Sequence, residues 1–365
     1  QAYGHPDHLH WRVWHNTGDG FAPAAAEWPV PADLGAPDNG VIFLDSRPQG
    51  VGYLHWYTFD VNGDGRPDLV STGRNIPPLV PGVSWTLQVW GQPDRPHWRV
   101  WLNTGEGFAA ASVDWPVPAD LGSPENGVAS LESRPQGVGY RHWTTVDIDG
   151  DGRPDLVSTA QNVAPLFPGA QWTTQAYGHP DHLHWRVWHN TGDGFAPAAA
   201  KWPVPADLGA PETGPALLDS PTTSLGAPHW RTLDLDGDRR PDLVSPAQNV
   251  PPLFAGAEAT AQVYGHPDDQ HWRVWRNTGA GFAPAATPWP VPAAAGPPET
   301  GPAFLASRPS TIGYPHWTVI DLDGDGHLDL ISPAVAVESP IPGIAWLAQV
   351  YGYPDRLHWR LWRGR

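Results

Sequence analysis

The chain has 365 residues and a formal net charge of −17, and it contains 45 Pro, 40 Gly and 22 Trp but neither Cys nor Met. This density of Pro and Gly excludes long helices, because Pro interrupts the helical hydrogen-bond ladder and Gly costs backbone entropy. The negative charge disfavours nucleic acid and anionic membrane surfaces as partners, and no apolar run reaches the roughly 18 residues that a membrane-spanning helix needs.

Internal repeats organise the whole chain. The string HWRVW begins at His10, His97, His184 and His271, and HWRLW begins at His358, so each copy follows the last after 87 residues. A repeat of this length predicts an array of similar structural units. We therefore expect a single repeat domain over residues 1–365, with repeats 1–87, 88–174, 175–261 and 262–348 and a partial fifth repeat 349–365.

Within one repeat the predicted strands follow a fixed order. Residues 55–61 (HWYTFDV) form a strand that enters an acidic loop, and residues 67–72 (PDLVST) form the strand that leaves it. After a Pro-rich excursion come a strand at 85–90, a hairpin turn, a strand at 97–103 and a strand at 108–115. Short segments rich in Val, Trp, Tyr and Thr between Pro, Gly, Asn and Asp turns are typical of antiparallel β-structure.

The strand HWRVW carries large side chains on both alternating faces, which predicts a sheet packed on both sides. Sheets that stack on one another meet this demand. The predicted fold is therefore all-β, a β-propeller built from four repeats of 87 residues. The alternatives are a four-bladed ring and a segment of a larger propeller or repeat array.

The acidic loop recurs as DVNGDGRPDL, DIDGDGRPDL, DLDGDRRPDL and DLDGDGHLDL. In the second copy Asp147, Asp149, Asp151 and Asp155 occupy positions 1, 3, 5 and 9, with Gly152 at position 6. This is the oxygen-ligand spacing of calcium loops, and a divalent cation relieves the repulsion between the carboxylates. A single such loop would also fit a metal-free Asp/Gly turn, but four copies in register favour calcium.

The predicted metal ligands are the side chains at positions 1, 3, 5 and 9 and the position-7 carbonyl. They are Asp60, Asn62, Asp64, Arg66, Asp68, Asp147, Asp149, Asp151, Arg153, Asp155, Asp234, Asp236, Asp238, Arg240, Asp242, Asp321, Asp323, Asp325, His327 and Asp329. We expect about four Ca²⁺ ions, one per repeat. The third site is predicted to be the weakest, because Arg239 stands where the other loops have Gly, and a left-handed backbone there costs roughly 1 kcal/mol.

The acidic string followed by VWxNTGxGF resembles the FG-GAP/VCBS-type repeats of integrin-like β-propellers. Related repeats occur in propeller lectins and in toxin-complex B components. The resemblance covers all four repeats. It implies that the loop joins the first two strands of a blade and binds calcium through Asp60, Asn62, Asp64 and Asp68 and their equivalents.

Aromatic residues suggest two competing roles. The simpler interpretation of HWRVW is that it packs between blades, with its Arg stacked on a Trp. The Trp of each WPVP segment is expected to lie buried in the core. The turns of the type YGHPDHLHW instead suggest a sugar-binding surface, where aromatic faces stack on the ligand and polar groups bond to it. The candidate ligand-binding residues are Tyr3, His5, Asp7, Trp11, Tyr177, His179, Asp181, Trp185, Tyr264, His266, Asp268 and Trp272.

The residues do not indicate catalysis. Nearly every polar cluster is repeated in each unit, whereas catalysis requires different groups arranged around one substrate. No G-x-S-x-G, H-E-x-x-H or phosphate-loop motif occurs, and the His residues lack zinc-ligand spacing.

We therefore expect a secreted or cell-surface, calcium-stabilised binding module that is not an enzyme and whose partners are glycans. Two alternatives are a structural, self-assembling surface or filament protein and the propeller portion of a secreted toxin or adhesin. The chain carries five copies of HWRVW/HWRLW but four of the acidic loop. The surplus terminal strand is expected to allow self-association.

Overall fold

The computed structural model describes residues 10–17, 20–31, 56–71, 73–76, 87–90, 97–118, 143–158, 160–163, 174–177, 184–205, 231–245, 247–250, 261–264, 271–292, 318–323, 325–332, 334–337, 348–351 and 360–364. These parts of the chain contain strands and turns but no helix. None of them therefore has the long apolar helix that a membrane crossing requires.

The strands in chain order are β1 (His10–Val13), β2 (Ala26–Pro29), β3 (Trp56–Phe59), β4 (Asp68–Ser71), β5 (Gly73–Ile76), β6 (Leu87–Trp90), β7 (His97–Trp101), β8 (Val113–Pro116), β9 (Trp143–Val146), β10 (Asp155–Ser158), β11 (Ala160–Val163), β12 (Thr174–Tyr177), β13 (His184–Trp188), β14 (Ala200–Pro203), β15 (Arg231–Leu233), β16 (Asp242–Ser245), β17 (Ala247–Val250), β18 (Ala261–Tyr264), β19 (His271–Trp275), β20 (Thr287–Pro290), β21 (Thr318–Ile320), β22 (Asp329–Ser332), β23 (Ala334–Val337), β24 (Ala348–Tyr351) and β25 (Arg360–Trp362).

Four antiparallel sheets form the blades of a four-bladed β-propeller. Blade 1 has the order β3-β4-β7-β8, blade 2 has β9-β10-β13-β14, and blade 3 has β15-β16-β19-β20. Blade 4 contains β21-β22-β25, and β1-β2 form a separate two-stranded sheet, which we call the N-terminal hairpin. The all-β propeller fold predicted from the repeats is thereby confirmed.

The blades pack face to face through the two sides of HWRVW. In blade 1, Trp98 and Val100 are fully buried and share one apolar cluster with Leu156, Trp188 and Phe195 of blade 2. Similar clusters join blade 2 to blade 3 and blade 3 to blade 4. A fourth cluster joins the N-terminal hairpin to blade 1. The expectation that this strand is packed on both faces is confirmed.

Aromatic packing within the blades also follows the sequence. The guanidinium of Arg99 lies 4.5 Å from the ring centre of Trp101, and Arg186 lies 4.6 Å from that of Trp188. Trp115 of the WPVP segment is only 2% exposed, as expected for a core plug.

The predicted hairpin between the strands at 85–90 and 97–103 is wrong. β6 pairs with β5 in a separate two-stranded ribbon, and β7 pairs with β4 inside blade 1. The same ribbon recurs as β11-β12, β17-β18 and β23-β24. The physical reason is burial. All four residues of β4 are buried, so the backbone groups along both of its edges need hydrogen bonds from a neighbouring strand. β7 carries large apolar side chains on both faces and therefore fits this buried position in the blade better than β6 does.

The last strand of each repeat is also shorter than predicted. β8 covers Val113–Pro116, whereas the predicted strand begins at Phe108. Phe108 makes an isolated bridge to Asn103, and its backbone N–H donates to the carbonyl of Pro29 in the N-terminal hairpin. This turn therefore joins neighbouring units rather than extending a strand.

Candidate functional site

Each acidic loop joins the first two strands of its blade, and the carboxylate of its first Asp accepts hydrogen bonds from backbone N–H groups of the same loop. In blade 1 the carboxylate of Asp60 accepts hydrogen bonds from the backbone N–H of Gly63 at 2.8 Å, Asp64 at 3.1 Å and Gly65 at 2.8 Å. The side-chain oxygen of Asn62 accepts a further bond from the N–H of Asp64 at 3.0 Å. These hydrogen bonds close the loop, so that the side chains at positions 1, 3 and 5 lie on the same side of it.

Position 6 of each loop takes a left-handed backbone. The φ angles are 84° at Gly65, 88° at Gly152 and 92° at Gly326, and Arg239 takes the same conformation with a φ of 72°. Arg239 is the one non-Gly residue with positive φ in the described part of the chain. The strain expected at the third loop therefore has a structural basis.

The carboxylates at positions 1, 3 and 5 converge in the second, third and fourth loops. In each of these loops one oxygen from each carboxylate lies within 4.8 Å of the others. In the first loop Asn62 replaces the position-3 carboxylate with an amide oxygen. Carboxylate and amide oxygens are ligands that calcium prefers, so the donor set fits a hard divalent cation.

The position-9 Asp has a structural role that the spacing did not reveal. Asp68 is fully buried, and its carboxylate accepts hydrogen bonds from the N–H of Asn103 at 2.8 Å and of Val61 at 3.3 Å. Asp155 and Asp242 accept the same bond from Asn190 and Asn277, each at 2.8 Å. This Asp therefore joins the acidic loop to the turn that follows the third strand of the blade.

That turn also links neighbouring blades. The side-chain amide of Asn190 donates to the carbonyl of Val61 in the preceding blade at 2.7 Å, and Asn277 donates to Ile148 in the same way at 2.7 Å. Both Asn residues are buried, at 2% and 4% exposed. Successive acidic loops are thus held side by side. The Asn of NTG was not among the predicted site residues.

Arginine at position 7 offsets part of the loop charge. The guanidinium of Arg66 lies 2.7 Å from the carboxylate of Asp64, and Arg153 and Arg240 pair with the corresponding carboxylates of Asp151 and Asp238. A cation bound through the position-5 carboxylate must compete with this ion pair.

A further basic side chain lies against the acidic loop and comes from the residue that follows HWRVW/HWRLW. In blade 2, Nδ1 of His189 lies 3.1 Å from Asp149 and 3.5 Å from Asp155. The equivalent residue in blade 3 is Arg276, which pairs with Asp236, and in blade 4 it is Arg363, which lies 3.2 Å from Asp323. In blade 1 the equivalent residue is Leu102, and position 3 is the neutral Asn62. A basic residue therefore follows the third strand wherever position 3 is acidic.

Burial shifts the protonation of the position-9 carboxylates. Desolvation raises the pKa of Asp68 and of Asp242 to about 6 and that of Asp155 to about 7. It also raises the pKa of Asp147. One oxygen of Asp155, Oδ2, is buried without a hydrogen-bond partner. A bound cation would stabilise the ionised form of these groups.

The predicted ligand-binding residues are only partly described. Trp11 lies in β1 and is partly exposed, whereas Trp185 in β13 and Trp272 in β19 are buried at 1% and 2% exposed. Tyr177 and Tyr264 are the last residues of β12 and β18. The other candidates lie outside the described residues: Tyr3, His5, Asp7, His179, Asp181, His266 and Asp268. The proposed sugar-binding turns therefore stay a prediction.

A cavity of about 430 Å³ lies between blades 2 and 3. Its apolar wall includes Val146, Leu233 and Trp185. Its polar lining comes from Arg231 and from the threonines Thr144, Thr145 and Thr232. At the position of Val146, blade 1 has the larger Phe59, which packs into the core between blades 1 and 2.

The fold and its loops define a repeat β-propeller whose blades each present an acidic, oxygen-rich loop. No protein-family model and no curated protein sequence matches the chain.

Among solved structures, the chain is similar to an Agrocybe aegerita lectin described as recognising non-reducing terminal N-acetylglucosamine. The identity is 15%, the TM-score is 0.37, and the match covers 93% of this chain and 73% of the lectin.

It is also similar to a chain of the Photorhabdus luminescens Tc holotoxin pore, with 16% identity, a TM-score of 0.24 and 95% of this chain covered. A third match is a chain of TcdB2-TccC3, with 14% identity, a TM-score of 0.24 and 88% of this chain covered. The chain spans 15% and 16% of the lengths of those two toxin chains.

Proposed function

We propose that this protein is a non-enzymatic, calcium-stabilised extracellular binding module of FG-GAP/VCBS type whose ligands are carbohydrates. The observation that carries the proposed binding role is the cavity between blades 2 and 3. Its lining combines apolar residues with three threonines and Arg231. A concave, mostly apolar site with a few polar groups is typical of small-molecule binding, and hydroxyl and guanidinium groups suit the hydroxyl-rich surface of a sugar.

Calcium has a supporting role in this proposal. Its proposed ligands are the convergent oxygens of the acidic loops. Two of these loops also contribute to the cavity, because Ile148 of the second loop and Pro241 of the third loop line it. A cation that orders these two loops would therefore also order one side of the cavity.

A glycan array probed in calcium-containing buffer tests the binding role, and titration calorimetry then measures the affinity for each hit. The Val146→Phe variant places at the cavity the residue that blade 1 carries, and we expect it to abolish binding by filling the space. Val113→Phe is the matched control, because Val113 is 44% exposed and does not line the cavity. An array without hits, or hits that Val146→Phe binds as well as the original protein, would contradict the assignment.

Self-assembly is the second candidate function. It is favoured by the N-terminal hairpin, whose segment HWRVW differs by one Val-to-Leu exchange from the segment HWRLW that contains β25.

A further inference from the structure

A histidine and two carboxylates meet beside the acidic loop of blade 2. Nδ1 of His189 lies 3.1 Å from Oδ2 of Asp149 and 3.5 Å from Oδ2 of Asp155. One donor atom from each of these residues lies within 4.8 Å of the other two. In the described part of the chain, this is the one cluster of potential metal ligands that brings a ring nitrogen together with carboxylate oxygens.

Two of the three donor atoms are buried and form no hydrogen bond within the described part of the chain: Nδ1 of His189 and Oδ2 of Asp155. The side chain of Asp155 is 0% exposed, and its Oδ2 lies on the side of His189. If His189 were only an ion-pair partner, Nδ1 would donate a hydrogen bond to a carboxylate, as Arg276 does to Asp236 in blade 3. Buried polar atoms without partners are costly, and one shared cation would satisfy both atoms at once.

The surroundings of the cluster hold each of its side chains in position. Oδ1 of Asp155 accepts a hydrogen bond from the N–H of Asn190 at 2.8 Å, and Oδ1 of Asp149 accepts one from a backbone N–H of its own loop at 3.2 Å. Each carboxylate therefore keeps its other oxygen, Oδ2, beside the histidine. The ring of His189 packs against Trp202, with ring centres 6.4 Å apart. Hydrogen bonds of this kind orient the ligands of protein metal sites.

We propose that His189, Asp149 and Asp155 bind a borderline divalent transition-metal ion, for which Zn²⁺ is the probe. Imidazole nitrogen and carboxylate oxygen are both zinc ligands, whereas calcium is bound through oxygen. Ligands about 2.0–2.1 Å from a tetrahedral zinc ion lie about 3.3–3.4 Å apart. The separations of 3.1 and 3.5 Å lie on either side of that distance. His189 is 39% exposed, so the cluster lies close to solvent and water can supply the fourth ligand.

The nitrogen ligand is specific to blade 2. Arg276 and Arg363 stand at the position of His189 in blades 3 and 4, and Leu102 stands there in blade 1. A guanidinium stays protonated and has no acceptor atom, and Leu has no donor atom at all. The spacing of the His residues did not indicate zinc, because the three ligands come from the acidic loop, the start of β10 and the turn after β13.

This site goes beyond the proposed binding module and needs neither a glycan nor calcium. Asp149 and Asp155 are also among the predicted calcium ligands, but His189 is not. A change at His189 therefore tests the zinc site without removing an oxygen ligand of the acidic loop.

Titration calorimetry of the metal-free full chain with a zinc salt, in calcium-free buffer, tests the site. We expect one tightly bound zinc ion per chain. His189→Arg gives blade 2 the residue that blades 3 and 4 carry, and it should weaken this binding at least about a hundredfold, because losing even an outer partner of a metal ligand costs about 10–100-fold.

His15→Ala is the matched control. His15 follows HWRVW in the N-terminal hairpin as His189 does in blade 2, and its ring lies 6.3 Å from that of Trp28. It is exposed and belongs to none of the metal-ligand clusters in the described part of the chain. His15→Ala should therefore bind zinc like the original protein.

Arg276→His builds the same cluster in blade 3 and gives a gain rather than a loss. The guanidinium of Arg276 pairs with Asp236, and its Nη1 lies 3.5 Å from Oδ2 of Asp242. These two carboxylates are the equivalents of Asp149 and Asp155. The variant should therefore bind one more zinc ion per chain than the original protein does.

Three results would overturn the proposal: no zinc binding by the original protein, equal zinc binding by His189→Arg, or no additional zinc ion in Arg276→His. Calcium titrations of the same variants separate these results from a failure of the proposed calcium sites, because neither His189 nor Arg276 is a predicted calcium ligand.

Discussion

Replacing the buried Asn of the NTG turn tests how the blades are held together. The side chains of Asn190 and Asn103 share two contacts: the amide donates to the preceding Pro carbonyl of its own blade, at 3.0 and 2.9 Å, and the oxygen accepts from the N–H two residues later, at 2.9 and 2.8 Å. Of these two residues, only Asn190 also donates to the carbonyl of Val61 in the neighbouring blade, at 2.7 Å. Comparing Asn190→Ala with Asn103→Ala therefore isolates the contribution of one inter-blade hydrogen bond.

The expected difference follows from the burial of Val61. Both Ala variants lose the shared contacts, and Asn190→Ala also removes the donor from a carbonyl of a residue that is 0% exposed. Leaving a buried acceptor without its partner costs about 1–3 kcal/mol. Asn190→Ala should therefore lower the free energy of unfolding by about 1–3 kcal/mol more than Asn103→Ala.

Urea denaturation followed by Trp fluorescence measures this difference from the midpoints and slopes of the two variants. Asn277→Ala is an internal replicate, since its amide donates to Ile148 at 2.7 Å, and it should resemble Asn190→Ala. Equal losses in all three variants would refute the inter-blade role of this side chain.

Three further predictions concern the acidic loops. Arg239→Gly should raise calcium affinity at the third loop about fivefold by removing roughly 1 kcal/mol of backbone strain, and calorimetry in which the variant and the original protein give the same isotherm would contradict this. Arg276→Leu should lower the free energy of unfolding because Asp236 loses its ion-pair partner. The double variant Arg276→Leu/Asp236→Asn recreates the Leu102–Asn62 pair of blade 1 and should recover part of this loss in urea denaturation. No recovery would argue against the pairing. In chelator, Asp68, Asp155 and Asp242 should contribute most to stability below about pH 4 and should lose that contribution as pH rises to about 7, because burial raises the folded-state pKa of these three carboxylates above the ordinary value. If the metal-free melting temperature of Asp155→Asn depended on pH over this range in the same way as that of the original protein, the assignment would be contradicted.

The repeat spacing predicted most of the fold. HWRVW, with apolar side chains on both faces, indicated a doubly packed strand, and the buried Trp98 and Trp101 occupy its two faces. The pairing of β6 with β5 was missed, because residues 73–96 are rich in Pro and turn residues and their pattern does not distinguish a blade strand from a separate ribbon.

The acidic loop was predicted in part. Its turn and the left-handed Arg239 follow from local spacing. The role of Asp68 was not predictable from spacing, because a buried acceptor of backbone N–H groups and a metal ligand can stand at the same position of the loop. The basic side chains beside the loops were detectable, since the residue after HWRVW/HWRLW is basic in the three repeats with an acidic position 3 and is Leu102 in the repeat with Asn62.

A thermal melt with calcium and with EDTA most directly tests the central claim, that a divalent cation stabilises the acidic loops. Because an ion that binds only the folded state adds about 2.7 kcal/mol per site at one hundred times its dissociation constant, we expect a clearly higher melting temperature in calcium. An unchanged melting temperature in EDTA, together with no heat of calcium binding, would contradict the claim.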